Sequence, residues 1–561
     1  MPEAKKIKGY ECKHVQWVPS IFNERDDAHF IKEIIHYEDG TTEPSSRLIR
    51  NYQREFGVTR EGFRNHEDKK ESEELSKLMI KKCNQRSLAT EISRALNAYA
   101  HKPTVRRLAR SQYLYGADIS AAAILKYQYQ NKWPDLRTKS KVAVLDIETD
   151  VVNGTGDLLT ISITCQDKAV TVICDNFIPE SSAAREDIMN AYKKYLGRHL
   201  DKRPVKLELL WAKSPGEAIK KAIDWAHVVK PDWMAIWNID FDLPEIIKAL
   251  EKEGYNIADV FSDPSVPPEF RYAEWRPGPS VKVSVSGKAE PLSWHQRWHT
   301  FNVPSSFYWI DAACVYSFIR KASGNLPSYA LNYVLNKELG ERKLNFEEAG
   351  DLEGIEWHQF MQSKYKVEYV IYNIFDCMGV ELLDEKTNDL SITLSELIGF
   401  SEYKDFKSTP KQLADDLHMF FLLSKKRMIA TTSDQMRDEL DDLVIGMDQW
   451  IITLACHLIE DNGLQCIADV PTLRTLIRLL TSDLDVRSAY PYTEIFSNVS
   501  KETTAMELSS IEGVSEADRR IIGLNLTAGR VNAVELCTRA FGLPQLDVLL
   551  ADYEASKKNM H

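Results

Sequence analysis

No two of the nine cysteines form a C-x-x-C pair, and they are scattered from Cys12 to Cys537 in an odd number. This pattern speaks against a zinc knuckle and a disulfide framework and fits reduced thiols in a cytosolic compartment. No stretch reaches the roughly 20 apolar residues needed to cross a bilayer. The best candidate, Trp450 to Ile459, is short and contains His457. The opening Met1-Pro2-Glu3-Ala4-Lys5-Lys6 lacks the apolar core of a secretory leader. The expectation is a soluble intracellular chain with no membrane partner. A surplus of positive charge is also missing, since 71 Lys+Arg against 83 Asp+Glu leave a net charge of −12. That argues against coating nucleic acid by bulk charge but leaves room for a basic groove on an acidic body. What is present is ordinary globular usage, 43% hydrophobic and 27% charged, over 561 residues. Such a length allows roughly three to five domains, each with its own core.

The first 138 or so residues read as charged helices mixed with short strands, an α+β N-terminal domain. From Lys102 to Lys141, nine Lys/Arg face only Asp118 and Asp135, with Tyr113, Tyr115, Tyr127, Tyr129 and Trp133 interleaved. Cations beside rings suit a nucleic-acid surface, where charge neutralises phosphates and rings stack on bases. The same residues also suit a solvated face and a packed core. Pro134-Asp135 and the polar run Arg137 to Ser140 read as a linker, after which Lys141-Val-Ala-Val-Leu begins a buried strand. Strand candidates Asp157–Cys165, Ala169–Cys174 and Trp233–Trp237 alternate with a helix at Pro215–Val229, which predicts an α/β domain. Ser280 to Lys288 alternates valine with polar residues and reads as an exposed β-ribbon. From Ser391 onward the pattern is mostly helical.

Three acidic groupings stand out. Asp146-Ile-Glu148 ends the strand Val142–Leu145, and positions i and i+2 of a strand project from one face. Two carboxylates so close repel unless a cation or water neutralises them, so a metal site and a solvated strand end are both open. Asn238-Ile-Asp240-Phe241-Asp242 follows a buried strand and precedes a helix. Asp242 is expected at the N-cap, with Glu245 completing a capping box. In Tyr372-Asn-Ile-Phe-Asp376, the i, i+4 spacing places phenol and carboxylate on one helix face.

The ordered set D-x-E, N-x-x-F-D and Y-x-x-x-D, with Asp146, Asp242 and Asp376 spaced 96 and 134 apart, resembles the three exonuclease motifs of family B DNA polymerases. The run Tyr372-Asn-Ile-Phe-Asp-Cys-Met-Gly-Val-Glu-Leu-Leu-Asp and the upstream Asn325-Leu-Pro-Ser-Tyr-Ala-Leu-Asn-Tyr-Val look like tailed-phage replicative enzymes of that family. The resemblance implies a ribonuclease-H-like 3′→5′ exonuclease domain, a mixed sheet flanked by helices. By it, Asp146, Glu148, Asp242 and Asp376 are the metal-binding carboxylates, holding two Mg²⁺ ions for which Mn²⁺ can substitute. Tyr372 orients the attacking water, and Asn238 and Phe241 position the 3′-terminal nucleotide. The ribbon at Ser280 to Lys288 falls where such polymerases carry a hairpin that helps move the primer strand between sites.

Asp483-Leu-Asp485-Val-Arg-Ser488-Ala-Tyr490-Pro491 resembles the first polymerase motif of the same family, and Asn498-Val-Ser-Lys-Glu-Thr503 what often follows it. Asp485 is then a polymerase metal ligand, and Tyr490 the residue beneath the incoming sugar. K-x-x-x-N-S-x-Y-G, D-T-D-S and the Y-x-G-G linker motif are all absent, and 76 residues follow Asp485. The resemblance therefore implies the N-terminal part of a split replicative polymerase: N-terminal domain 1–138, exonuclease 139–395, helical connector 396–480 and partial palm 481–561. Its expected partners are single-stranded DNA 3′ ends, primer-template, and a second polypeptide with fingers, the rest of the palm and thumb, in the host cytoplasm for a phage chain. Two alternatives are a free-standing single-strand DNA exonuclease with a vestigial palm and an inactive replisome scaffold.

Overall fold

The computed structural model describes residues 5–433, apart from 68, 99–101, 284–287, 351 and 407–408, together with a few strand segments further on. The chain divides into two compact units, 1–444 and 445–561. In the second, Thr504–Ser509 pairs antiparallel with Ile521–Leu526, which pairs antiparallel with Gly529–Val531. Asp485 and Tyr490 lie outside the described residues, as does most of the helical connector beyond residue 433.

The first unit opens with β1 (Ile7–Pro19), β2 (Asp27–Tyr37) and β3 (Thr42–Arg50) in one antiparallel sheet. β4 (Arg54–Thr59) is the centre of a second sheet, flanked by Leu78–Cys83 and Leu114–Tyr115. The expectation of charged helices with short strands is corrected here, since β1 and β2 are 13 and 11 residues long. β2 is covered on both faces, so its Asp27, His29, Lys32 and Glu33 are buried despite their polarity. Lys32, for example, donates to the Lys230 carbonyl at 2.9 Å.

The basic, aromatic segment leads into α1 (Ala121–Lys132), whose N-cap Ser120 accepts from Ala123 N. Several of its rings turn inward. Tyr115 and Tyr129 are buried, and Trp133 packs 5.2 Å from Tyr10 and 5.8 Å from Tyr129 between ring centroids. Lys126 pairs with Glu402 at 2.7 Å, and Lys139 donates to Asn388 Oδ1 at 3.1 Å. These rings and cations fasten the segment to its neighbours.

The site rests on a six-stranded mixed sheet. Its strands are β5 (Val142–Thr149), β6 (Leu158–Cys165), β7 (Lys168–Cys174), β8 (Lys206–Ala212), β9 (Trp233–Ile236) and β10 (Tyr308–Asp311), in the spatial order β8-β7-β6-β5-β9-β10. β5, β6 and β7 form an antiparallel meander; β9 runs parallel to β5, and β10 parallel to β9. Helices cover both faces, so β6 is buried at every position although its sequence alternates Thr160, Ser162 and Thr164 with apolar residues. One core holds Val142, Val144, Ala235 and Ile310 against helix residues such as Ile371 and Phe375. The other holds Ala143, Leu145, Met234 and Ile236 against Ile219, Leu243 and Ile246. α2 (Pro215–Val229) starts at Ser214, which accepts from Glu217 N, with Pro215 in the first turn where its missing N–H costs nothing.

α3 (Ile239–Lys252) begins at N-cap Asn238, because Phe241 N and Asp242 N both donate to the Asn238 carbonyl at 2.9 and 3.0 Å. This corrects the expected cap, since Asp242 sits inside the first turn rather than before it. Next to it, Leu243 is fully buried. Leu243→Ala is expected to cost about 2–5 kcal/mol through the cavity it leaves, read from the shift in the urea unfolding midpoint. The predicted ribbon is a hairpin, Val281–Val283 against Ala289–Pro291, with Val281 and Val283 exposed. Further on come α4 (Gly354–Lys364) and α5 (Lys366–Thr387), and α5 packs across β5 and β6. No helix among the described residues is long and apolar enough to cross a membrane.

Candidate metal centre

The strand end of β5, the first turn of α3 and one face of α5 bring their acids together. Asp146, Glu148 and Asp376 each offer an oxygen, and the three lie within 4.8 Å of one another. Among the described residues, no other group of three or more His, Cys, Asp or Glu side chains is so placed. Asp242, outside that trio, still feels the charges of Asp146 and Glu148. Glu148, Asp242 and Asp376 are at most 8% exposed, so their charges are poorly screened.

The consequence is mutual discomfort. Burial, then the charge of Asp376, pushes Asp146 up to about 7, against relief from Lys343 and Asn373. Burial, then Asp146, raises Glu148 well above the carboxylate range, and burial with Asp146 and Glu148 does the same to Asp242. Burial also raises Asp376, with Lys343 and the Tyr372 hydroxyl opposing it. Asp242 Oδ2 and Asp376 Oδ1 are buried without a hydrogen-bond partner. Oxygen-only donors, crowded and underused, fit a hard divalent cation such as Mg²⁺ or Mn²⁺.

α5 carries the supporting shell as well. Tyr369, Tyr372, Asn373 and Asp376 fall at i, i+3, i+4 and i+7, one stripe of a helix. Asn373 Nδ2 donates to Asp146 Oδ2 at 2.8 Å. The Tyr369 hydroxyl donates to Glu148 Oε2 and accepts from Gln362 Nε2 at 3.0 Å, with His358 Nδ1 at 2.7 Å. Gln362 Nε2 also donates to the Thr149 carbonyl at 2.8 Å, tying α4 to the end of β5. Hydrogen bonds of this kind fix the orientation of ligating carboxylates. Lys343 Nζ reaches the Tyr372 hydroxyl at 3.0 Å and pairs with Asp376 Oδ2. Burial pulls this lysine down, but attraction to Asp376, Tyr372 and Asp146 prevails and holds it well above its ordinary range.

No protein-family model matches this chain, and no curated protein matches it.

The expected site residues therefore distribute as follows. Asp146, Glu148 and Asp376 cluster, Asp242 adjoins them, and Tyr372 lines the same stripe of α5. Asn238 and Phe241 are exposed at the start of α3, with Phe241 52% exposed. Sequence reasoning missed Lys343, Tyr369, Asn373, His358 and Gln362. The helical period around Asp376 carried the signal for Tyr369 and Asn373, whereas Lys343 lies 33 residues upstream of Asp376 with nothing local to mark it.

One pH dependence follows. Carboxylates whose folded pKa lies above the unfolded value favour the metal-free fold below about pH 4 and cost stability as pH rises through the raised range. A cation needs the deprotonated acids. Mg²⁺ is thus expected to raise the thermal midpoint by several degrees near pH 8 and by little near pH 5, measured by calorimetry with Mg²⁺ and with EDTA.

Proposed function

We propose that the chain is a Mg²⁺-dependent 3′→5′ DNA exonuclease of ribonuclease-H-like fold, the proofreading portion of a split family B replicative polymerase. The observation that carries this reading is the convergence of Asp146, Glu148 and Asp376 within 4.8 Å, beside Asp242, from three motifs far apart in sequence. The sheet supports it: an antiparallel meander β5-β6-β7 continued by parallel β9 and β10, with the acids at the end of the first strand and on helices beside it.

On this reading Asp146, Glu148, Asp242 and Asp376 hold the divalent cations. A bound pair supplies a water activated at neutral pH and neutralises charge on the leaving oxygen. Tyr372 orients the attacking water, and its hydroxyl is fixed for this by Lys343. Tyr369 and Asn373 keep the Glu148 and Asp146 carboxylates turned toward the site. Exposed Phe241 offers a ring face for the terminal base, worth about 1–3 kcal/mol per stacked base. Asp485 and Tyr490 belong to the palm portion of the proposal, together with the second polypeptide that completes fingers, palm and thumb.

The test uses the purified chain, a 5′-labelled primer-template and Mg²⁺, with and without deoxynucleotides, resolved to single nucleotides. Stepwise shortening from the 3′ end with no extension is the expected result. Extension by the chain alone would overturn the split reading, and absence of any Mg²⁺-dependent shortening on single-stranded or duplex ends would overturn the nuclease reading.

A further inference from the structure

Away from the metal centre, a cavity of about 260 Å³ lies among β1, β2, β4, the first turn of α1 and the stretch 402–405. Its polar wall is peculiar. His29 is fully buried, and neither of its ring nitrogens has a hydrogen-bond partner. Arg54 is 1% exposed; its Nη1 donates to Gln85 Oε1 at 2.8 Å and its Nη2 to the Gly116 carbonyl at 2.9 Å, while Nε has no partner. Asp118 and Asp415 attract the Arg54 guanidinium through the protein, yet no ion pair among the described residues includes it. Half-buried Lys404 completes the group. Burial, then the charges of Arg54 and Lys404, holds the His29 imidazole down at about 4.

Two cations, Arg54 and Lys404, and a neutral imidazole thus share one cavity, and a buried cation with an unfilled donor is costly. Three acids, Asp118, Glu402 and Asp405, line the same wall, and two of them are engaged elsewhere. Glu402 is occupied by Lys126 at 2.7 Å and by Val15 N at 3.2 Å, and Asp118 Oδ2 accepts from Thr432 N at 3.0 Å. Ala121 and Ala122, the first two residues of 12-residue α1, also line the space, adding the positive end of a helix dipole. The volume is below the roughly 300–1,000 Å³ of pockets that enclose a drug-sized ligand, and it suits a tetrahedral anion.

We propose that this cavity binds a phosphate-class oxyanion, held by Arg54, His29 and Lys404 against the first turn of α1. The guanidinium supplies directed donors, and anion entry favours the protonated imidazole. The proposal is independent of the nuclease reading.

The test is calorimetric titration of the full chain with sodium phosphate, in a phosphate-free buffer containing EDTA so that the acidic cluster offers no cation, with sodium chloride as the ionic-strength control. Saturable binding of one phosphate is expected, with a thermal midpoint that rises with phosphate concentration. Lys404→Gln, at the half-buried rim, is expected to weaken binding by about tenfold, the loss of one charge-assisted contact. Arg54→Gln, checked for folding by circular dichroism, is expected to abolish it. Deoxyadenosine monophosphate and deoxyadenosine form the second arm. Nucleotide binding that free phosphate displaces and Lys404→Gln weakens identifies a phosphate carried on a nucleotide as the source. No saturable binding up to about 20 mM phosphate, far above a millimolar Kd, would overturn the proposal, as would binding that Lys404→Gln leaves unchanged.

Discussion

Asp146→Ala is expected to leave the chain folded and to lower Mg²⁺-dependent trimming of a DNA 3′ end by about a thousandfold, roughly 4 kcal/mol of transition-state stabilisation. Folding survives for electrostatic reasons. Asp146 is half-buried at a strand end, and its hydrogen bond comes from Asn373 Nδ2. Truncation orphans that amide at about 1–2 kcal/mol, and it removes one of four like charges whose repulsion raises the carboxyls of Glu148 and Asp242. In EDTA near neutral pH the variant should therefore melt no lower than the parent, while the Mg²⁺-dependent rise in midpoint shrinks. Asp146→Asn keeps the shape and should be as inactive. Trimming at the parental rate by either variant, with folding intact, would sink the assignment of Asp146 to the metal centre.

How much of this was legible in the sequence depends on the kind of residue. The acids were legible because each sits at a place with a local signature: i and i+2 at the end of an apolar strand, an acid in a helix's first turn, and i, i+4 on a long helix. The boundary at Asp242 was misread by four residues. The capping-box pattern favoured Asp242 itself, while the backbone placed Asn238 as the cap and drew Asp242 into the first turn. Polar burial was the harder failure. β2 buries Asp27, His29, Lys32 and Glu33 together, and a strand covered on both faces with polar residues among its apolar ones has no hydrophobic periodicity to detect. The basic, aromatic run before the linker read equally as nucleic-acid surface or packing. Trp133 and Tyr129 turn inward because β1 offers Tyr10 beside them, a contact no local pattern announces. Lys343 was invisible for the same reason, since its role exists only once a loop is folded back over α5.

That lysine carries the second large effect. Lys343→Met is expected to destabilise the metal-free protein by about 3–5 kcal/mol, the cost of leaving a buried charge without its partner. The pair is well placed for this cost: Lys343 is 25% and Asp376 3% exposed at the side chain, and Asp376 Oδ1 already has no partner. Its sign with pH is fixed by the acids. Without the ammonium, the Asp376 pKa rises further above its unfolded value, so the loss of stability is small below about pH 4 and grows as pH climbs through the raised range. A divalent cation can replace the missing charge, and Mg²⁺ should restore more stability to Lys343→Met than it adds to the parent. Urea unfolding at about pH 5 and pH 8, each with EDTA and with Mg²⁺, separates these contributions. A Lys343→Met variant as stable as the parent at pH 8 in EDTA would show that the four carboxylates are not held together by this cation. In that case the raised carboxyls of the metal-free site would be shared protons rather than opposed charges, and the Mg²⁺-dependent gain should then come with release of protons to the buffer.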